Sequence, residues 1–245
     1  MRRLLAVVLL MLAAPAAFAD DFRVDCTGAA CRQAFHEAVK DVAATLNFKV
    51  LGPAEPTGLL GLSVAGVGTY VPVENKDAWR TLSGRDIDEI GMVGGVVTKG
   101  LPAGFDVGFF YATIPSSGGG AAYGAQLRYA ILEGGVASPA LAVEANYTST
   151  NNIDDFDYNA WGADVILSKG FAFLTPYIGG GIVSATIDPT DPLKDPAGAN
   201  LKSEDVTQGR FFVGARISML FFNITPEYER FGDNNVYNLR VGFSL

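Results

Sequence analysis

The chain has 245 residues, 49% hydrophobic and 18% charged, with 29 glycines and a formal net charge of −8. This apolar share excludes a disordered polar chain, and the lack of a Gly-X-Y period excludes collagen. The acidic balance, with a pI near 4.6, argues against a broad nucleic-acid surface, and a single histidine leaves little for metal or acid–base chemistry.

The first element is a leader. Arg2 and Arg3 precede an apolar run from Leu4 to Leu12, and Ala17-Phe18-Ala19 then offers a small-x-small cleavage site before Asp20. That order predicts an exported protein with a signal peptide over residues 1–19, cleaved after Ala19. No later run of 18 apolar residues follows, so a transmembrane helix is not available to the mature chain.

Residues 20–56 form a second unit. Phe35, Val39, Val42 and Leu46 recur at helical spacing, with Arg32, His36 and Lys40 on another face. Cys26 and Cys31 precede or open this helix, and an oxidising compartment predicts that they pair as a local disulfide. Gly52-Pro53-Ala54-Glu55-Pro56 reads as a linker.

From residue 57 the period changes to two. Ten segments alternate: 60–70, 87–99, 104–114, 121–132, 140–149, 158–168, 171–186, 209–219, 221–230 and 237–245. The second alternates poorly, and the seventh is apolar on both faces, so its register stays open. These segments exceed the ~5–6 residues usual for soluble strands and match the ~9–11 that a tilted membrane strand needs. Long and short connections alternate, as in outer-membrane barrels. The weakest turn is Ser218-Met219-Leu220-Phe221, which holds no Gly, Pro or Asn. Without a turn there, the count falls to nine.

The expected fold is therefore all-β: a closed antiparallel transmembrane β-barrel of about ten strands over 57–245, with a short N-terminal helix in or under the periplasmic mouth. Apolar faces would meet lipid, and Arg128, Glu144, Asp164, Arg216, Glu227, Glu229 and Arg240 would face the lumen. A charge turned to lipid at mid-depth costs about 2–4 kcal/mol for Arg or Lys, so seven such errors would exhaust a domain's stability. Tyr70, Tyr111, Tyr129, Tyr147, Trp161, Tyr228 and Tyr237 fall on the outward faces, as interfacial girdles require.

The leader, the strand run and the ending Tyr237-Asn238-Leu239-Arg240-Val241-Gly242-Phe243-Ser244-Leu245 together resemble a Gram-negative outer-membrane β-barrel, and Phe211 to Leu245 is similar to small uncharacterised exported barrel proteins. The resemblance covers about 57–245. It implies that Tyr237, Leu239, Val241, Phe243 and Leu245 form the C-terminal signal read by the barrel-assembly machinery, although the last residue is Leu and the aromatic stands two earlier. It also implies an outer-membrane location, periplasmic chaperones during biogenesis, and contact with outer-membrane lipid and lipopolysaccharide.

For function, the expectation is a non-catalytic barrel with a structural or surface-interaction role, without cofactor, metal or nucleic-acid partner. The only histidine, His36, would lie outside the barrel, away from any surface nucleophile. The alternative is a narrow channel for small solutes or ions, cation-preferring because its loops carry Asp154, Asp155, Asp157, Asp188, Asp191, Asp195, Glu204 and Asp205. Those oxygens match no EF-hand spacing. A third class, a soluble periplasmic β-protein, would extract without detergent and show no heat-dependent gel shift.

Overall fold

The computed structural model describes residues 26–115, 120–135, 137–153, 155–190 and 201–244. The signal peptide, the cleavage site, Asp154, Asp191, Asp195 and Leu245 lie outside the described residues. Helix α1 (Gly28–Leu46) leads into strand β1 (Leu62–Pro72), a short helix α2 (Lys76–Ser83) and β2 (Glu89–Gly100). Then follow β3 (Phe105–Thr113), β4 (Ala121–Glu133), β5 (Ala140–Asn151), β6 (Phe156–Ser168), β7 (Leu174–Pro189), β8 (Glu204–Met219), β9 (Phe222–Phe231) and β10 (Asn234–Ser244). Every strand pairs antiparallel with its sequence neighbours, and β1 pairs with β10 from Ser63↔Ser244 to Tyr70↔Tyr237, which closes the barrel.

The strand count is ten, because the chain does turn at Leu220-Phe221. Leu220 takes φ 57 there, a left-handed conformation held without glycine. The seventh segment is also resolved: β7 turns Ile178 and Ile182 outward and Tyr177, Val183, Ala185 and Ile187 inward. β7 and β8 run beyond their predicted ends. The extension of β8 carries Thr207 and Asp205, which pair outward with Ser184 and Thr186 of β7, so this end stands above the apolar belt.

Below these pairs the outside is apolar. Tyr70 packs on Tyr237 and Tyr237 on Tyr228, Tyr147 packs on Trp161, Phe105 on Tyr129 and Phe222 on Phe243. The belt continues onto the short turns, where Leu60 is 91% and Leu220 98% exposed, with Phe171, Phe173 and Phe221 beside them. Aromatic rows at both ends of an apolar band suit the two interfaces of a bilayer. No helix among the described residues is long and apolar enough to cross a membrane.

The high glycine content has a packing reason inside. Gly124 faces Phe110, Gly179 faces Phe212 and Gly214 faces Tyr177 across neighbouring strands. A Cβ at any of the three would strike the partner ring. These glycines let large aromatics lie flat against the inner wall.

The helix is where the structure corrects the sequence reading. It does not sit at the mouth with the short turns. His36 bonds Glu204 at the start of β8, Asn234 at the start of β10 donates to the Lys40 carbonyl, and Asp41 accepts from Asn75 and Trp79 of the β1–β2 connection. All of these belong to the end with the long connections. The cause is burial: the stripe Phe35, Val39, Val42 and Leu46 joins a core with Phe110, Tyr158, Ile187, Phe231 and Val236, and those inner-wall residues occupy the long-connection half of the lumen. The β1–β2 connection, expected as a plain loop, carries α2, whose Trp79 and Leu82 are buried against this helix.

Candidate functional site

From Leu46 the chain descends through the lumen to the other mouth, and the residues expected to be a linker are its path. Asn47 and the Phe48 carbonyl meet Arg210 at mid-barrel; Ala54 N–H donates to Ser168 Oγ (3.0 Å) and Thr57 N–H to Asp106 Oδ1 (3.0 Å) near the short turns. β1 then starts and runs back along the wall. An irregular segment inside a barrel brings unpaired backbone groups, and the wall must satisfy them.

It does so with ions. Arg128 donates to Glu144 Oε2 through Nε (2.9 Å) and Nη2 (2.7 Å), and through Nη1 to the Pro53 carbonyl (2.8 Å). Arg210 forks onto Asp164 and reaches Asn47 Oδ1 at 2.9 Å. Lys49 donates to the Ala44 carbonyl (2.6 Å) and to Glu229 Oε2 (3.2 Å). Glu227 accepts from Leu51 N–H (3.2 Å), from the Tyr177 hydroxyl (2.8 Å) and from Asn238 (3.1 Å). Asn146 donates to both Glu144 and Asp164, tying the two pairs together. Paired and hydrogen-bonded charges of this kind hold geometry, while removal of one partner leaves the other costly.

Arg128, Glu144, Asp164, Arg216, Glu227, Glu229 and Arg240 therefore all lie inside, and the network gathers five of them: Arg128, Glu144, Asp164, Glu227 and Glu229. Arg240 instead donates to Asn223 and Ser63, and Arg216 stands apart. Asp106, Arg210 and Lys49 also belong to the lumen and were missed. Asp106 and Arg210 occupy inward positions of their strands, in step with Gly108 and Phe212, so alternation alone would have found them. Lys49 carries no periodic signal.

Cys26 and Cys31 form the disulfide at the start of α1. Tyr237, Leu239, Val241 and Phe243 share the outward face of β10. In the described part of the acidic connections, Asp157 stands opposite Asp188 in the β6–β7 register. His36 is on the barrel's own mouth, contrary to its expected place outside, with Nδ1 2.8 Å from Glu204 Oε2. Asp41 is buried between the helices; burial raises its pKa from the ordinary 3.8, against hydrogen bonds from Trp79 and Asn75 that lower it. No group of three or more His, Cys, Asp or Glu among the described residues is arranged to hold a metal.

A profile for a family of unknown function, DUF6588, matches residues 99–245. The chain belongs to that family. The match begins at the end of β2 and takes in β3 to β10, eight of the ten wall strands, while α1, the threaded segment, β1 and most of β2 precede it. No curated protein matches. The N-terminal β-barrel domain of Pseudomonas aeruginosa OprF is similar over 77% of this chain and 99% of its own, at 11% identity and a TM-score of 0.38. The KdgM porin covers 75% and 99% at 9% identity and a TM-score of 0.39, and Neisserial surface protein A 76% and 95% at 10% and 0.33. The assignment as an outer-membrane type of barrel rests on strand order, closure and the two faces of the wall.

Proposed function

We propose that this protein is a sealed outer-membrane barrel with a structural or surface-interaction role and no catalytic activity. The observation that carries the reading is the threaded segment: residues 47–57 occupy the lumen and are bonded to its wall at Arg210, Glu229, Glu227, Arg128, Ser168 and Asp106. A channel needs a continuous wet path, and ten strands leave little width beyond what side chains fill. The rival reading of a narrow cation-preferring channel therefore has less support. The non-catalytic reading is favoured by the lumen carboxylates Asp106, Glu144, Asp164, Glu227 and Glu229, each of which is committed to an internal bond. With the short turns on the periplasmic side, as is usual for such barrels, α1 closes the outer mouth and the acidic connections face the medium.

Purified protein in a planar bilayer is expected to give no steady conductance. Sustained, ion-selective openings in the unmodified protein would overturn the sealed reading. A heat-dependent gel shift of the protein in the membrane fraction tests its location, and extraction without detergent would refute it.

A further inference from the structure

Two lumen arginines form no ion pair with any described residue. Between the threaded segment and the wall of β1, β2 and β10 lies a cavity of about 280 Å³. It runs from Met92 and Phe110 beneath α1 to Ser63 and Ser244, the last paired row before the short-turn mouth. Arg216 and Arg240 line it. Glu144, Asp164 and Glu229 each have a cationic partner, and Glu227 and Asp106 have N–H or O–H donors. Arg216 and Arg240 bond no carboxylate of the described residues, although Glu55 and Asp106 are near Arg216. Arg240 donates only to neutral oxygens, Asn223 Oδ1 (3.1 Å) and Ser63 Oγ (2.6 Å).

Arg216 donates no hydrogen bond to any described residue, and its fully buried Nε is without a partner. Glu55, also in the lining, forms no ion pair with either. Arg216 Nη2 lies 2.7 Å from where a Cβ on Gly52 would be, so the missing side chain at Gly52 makes room for the guanidinium. A guanidinium presents a planar fork of donors that matches an oxyanion, and leaving a buried donor such as the Arg216 Nε unmatched is costly.

We infer that this cavity binds a small multivalent oxyanion, of the phosphate, sulfate or short polycarboxylate kind, received from the aqueous side of the short-turn mouth and held between Arg216 and Arg240. The volume equals that of roughly nine waters at about 30 Å³ each, enough for a compact anion with part of its hydration shell. The site lies beside the threaded segment and does not depend on whether the barrel conducts.

The test is calorimetric titration of the refolded full chain, in phosphate-free maltoside micelles, with inorganic phosphate, sulfate and citrate against chloride at equal ionic strength. Saturable binding of at least one multivalent anion is expected. Arg216→Gln and Arg240→Gln should each weaken it by about 10- to 100-fold, the worth of a charged hydrogen bond. Arg230→Gln, at the opposite mouth, should leave it unchanged. Should a glutamine variant fail to fold, Arg240→Lys keeps the charge, loses the fork and should still weaken binding. Adding phosphatidylglycerol to the micelles separates a lipid headgroup from a free solute: a site filled by the lipid and indifferent to free phosphate refutes the solute reading. No saturable heat from the wild type with any of the three anions, or binding that survives both glutamine substitutions, overturns the proposal.

Discussion

Arg210→Met is the sharpest probe of how the barrel holds its own plug. Arg210 and Asp164 are both buried, and the guanidinium also carries Asn47 and the Phe48 carbonyl of the threaded segment. Methionine keeps the bulk and deletes every one of these bonds. Breaking a buried pair from one side costs about 3–5 kcal/mol, because the surviving charge stays desolvated. Asp164 keeps Asn146 Nδ2 at 3.0 Å, which places the expected loss in the lower half of that range. Against a total of about 5–15 kcal/mol the effect is large.

Urea unfolding from vesicles, followed by Trp fluorescence and by the heat-modifiable gel shift, measures it. The companion Arg210→Met/Asp164→Leu removes both charges and should recover much of the loss, since an apolar pair of similar volume is often neutral or better. The single variant should also give intermittent conductance, as the upper anchor of the plug is gone. A single-variant loss below about 1 kcal/mol, with no recovery in the double variant, would refute the idea that this ion pair is desolvated and coupled.

Three further outcomes follow from the same geometry. Asp41 has its folded pKa raised above 3.8, so its contribution to the α1–α2 contact is complete below that value and is lost as pH rises through the folded pKa. Asp41→Asn should flatten this dependence, read from Trp79 fluorescence in a Trp161→Phe background; an unchanged pH profile would count against it. Val165→Lys, on the outward face at mid-belt, should cost about 2–4 kcal/mol in vesicle unfolding. A cost near zero would mean that this face meets water. Reducing Cys26–Cys31 should cost about 2 kcal/mol or less, confined to the first turns of α1, because the loop it closes is short. Hydrogen exchange across the helix and the strands locates the loss, and a global effect would be the contrary result.

Much of the wall was legible because a strand with lipid on one side and ions on the other must alternate. Phe105, Phe109 and Tyr111 on one face of β3, with Asp106 on the other, show this even where the charge was overlooked. Register in β7 was not legible, since its glycines and its buried Val183 and Ile187 leave no polar face to count from. The plug was invisible for a different reason. Residues 47–57 have no period, and Gly52-Pro53 looks like any linker until Arg128 is found on the Pro53 carbonyl. The helical stripe of α1 was plain, but a stripe does not say which surface covers it. Only the apolar upper wall, built from Phe110, Tyr158 and Phe231, decides that. Within α2, Trp79 and Leu82 stand three apart in an eight-residue helix, too short to carry a pattern unaided.

An even strand count normally brings both ends of a barrel chain to the same compartment. Here the route through the middle undoes that rule: residue 26 belongs to one opening and residue 244 to the other. Anything fused ahead of Cys26 would be displayed on the opposite side of the bilayer from anything fused behind Ser244. The seam between β1 and β10 therefore encloses a length of its own chain that runs antiparallel to the first strand it leads into.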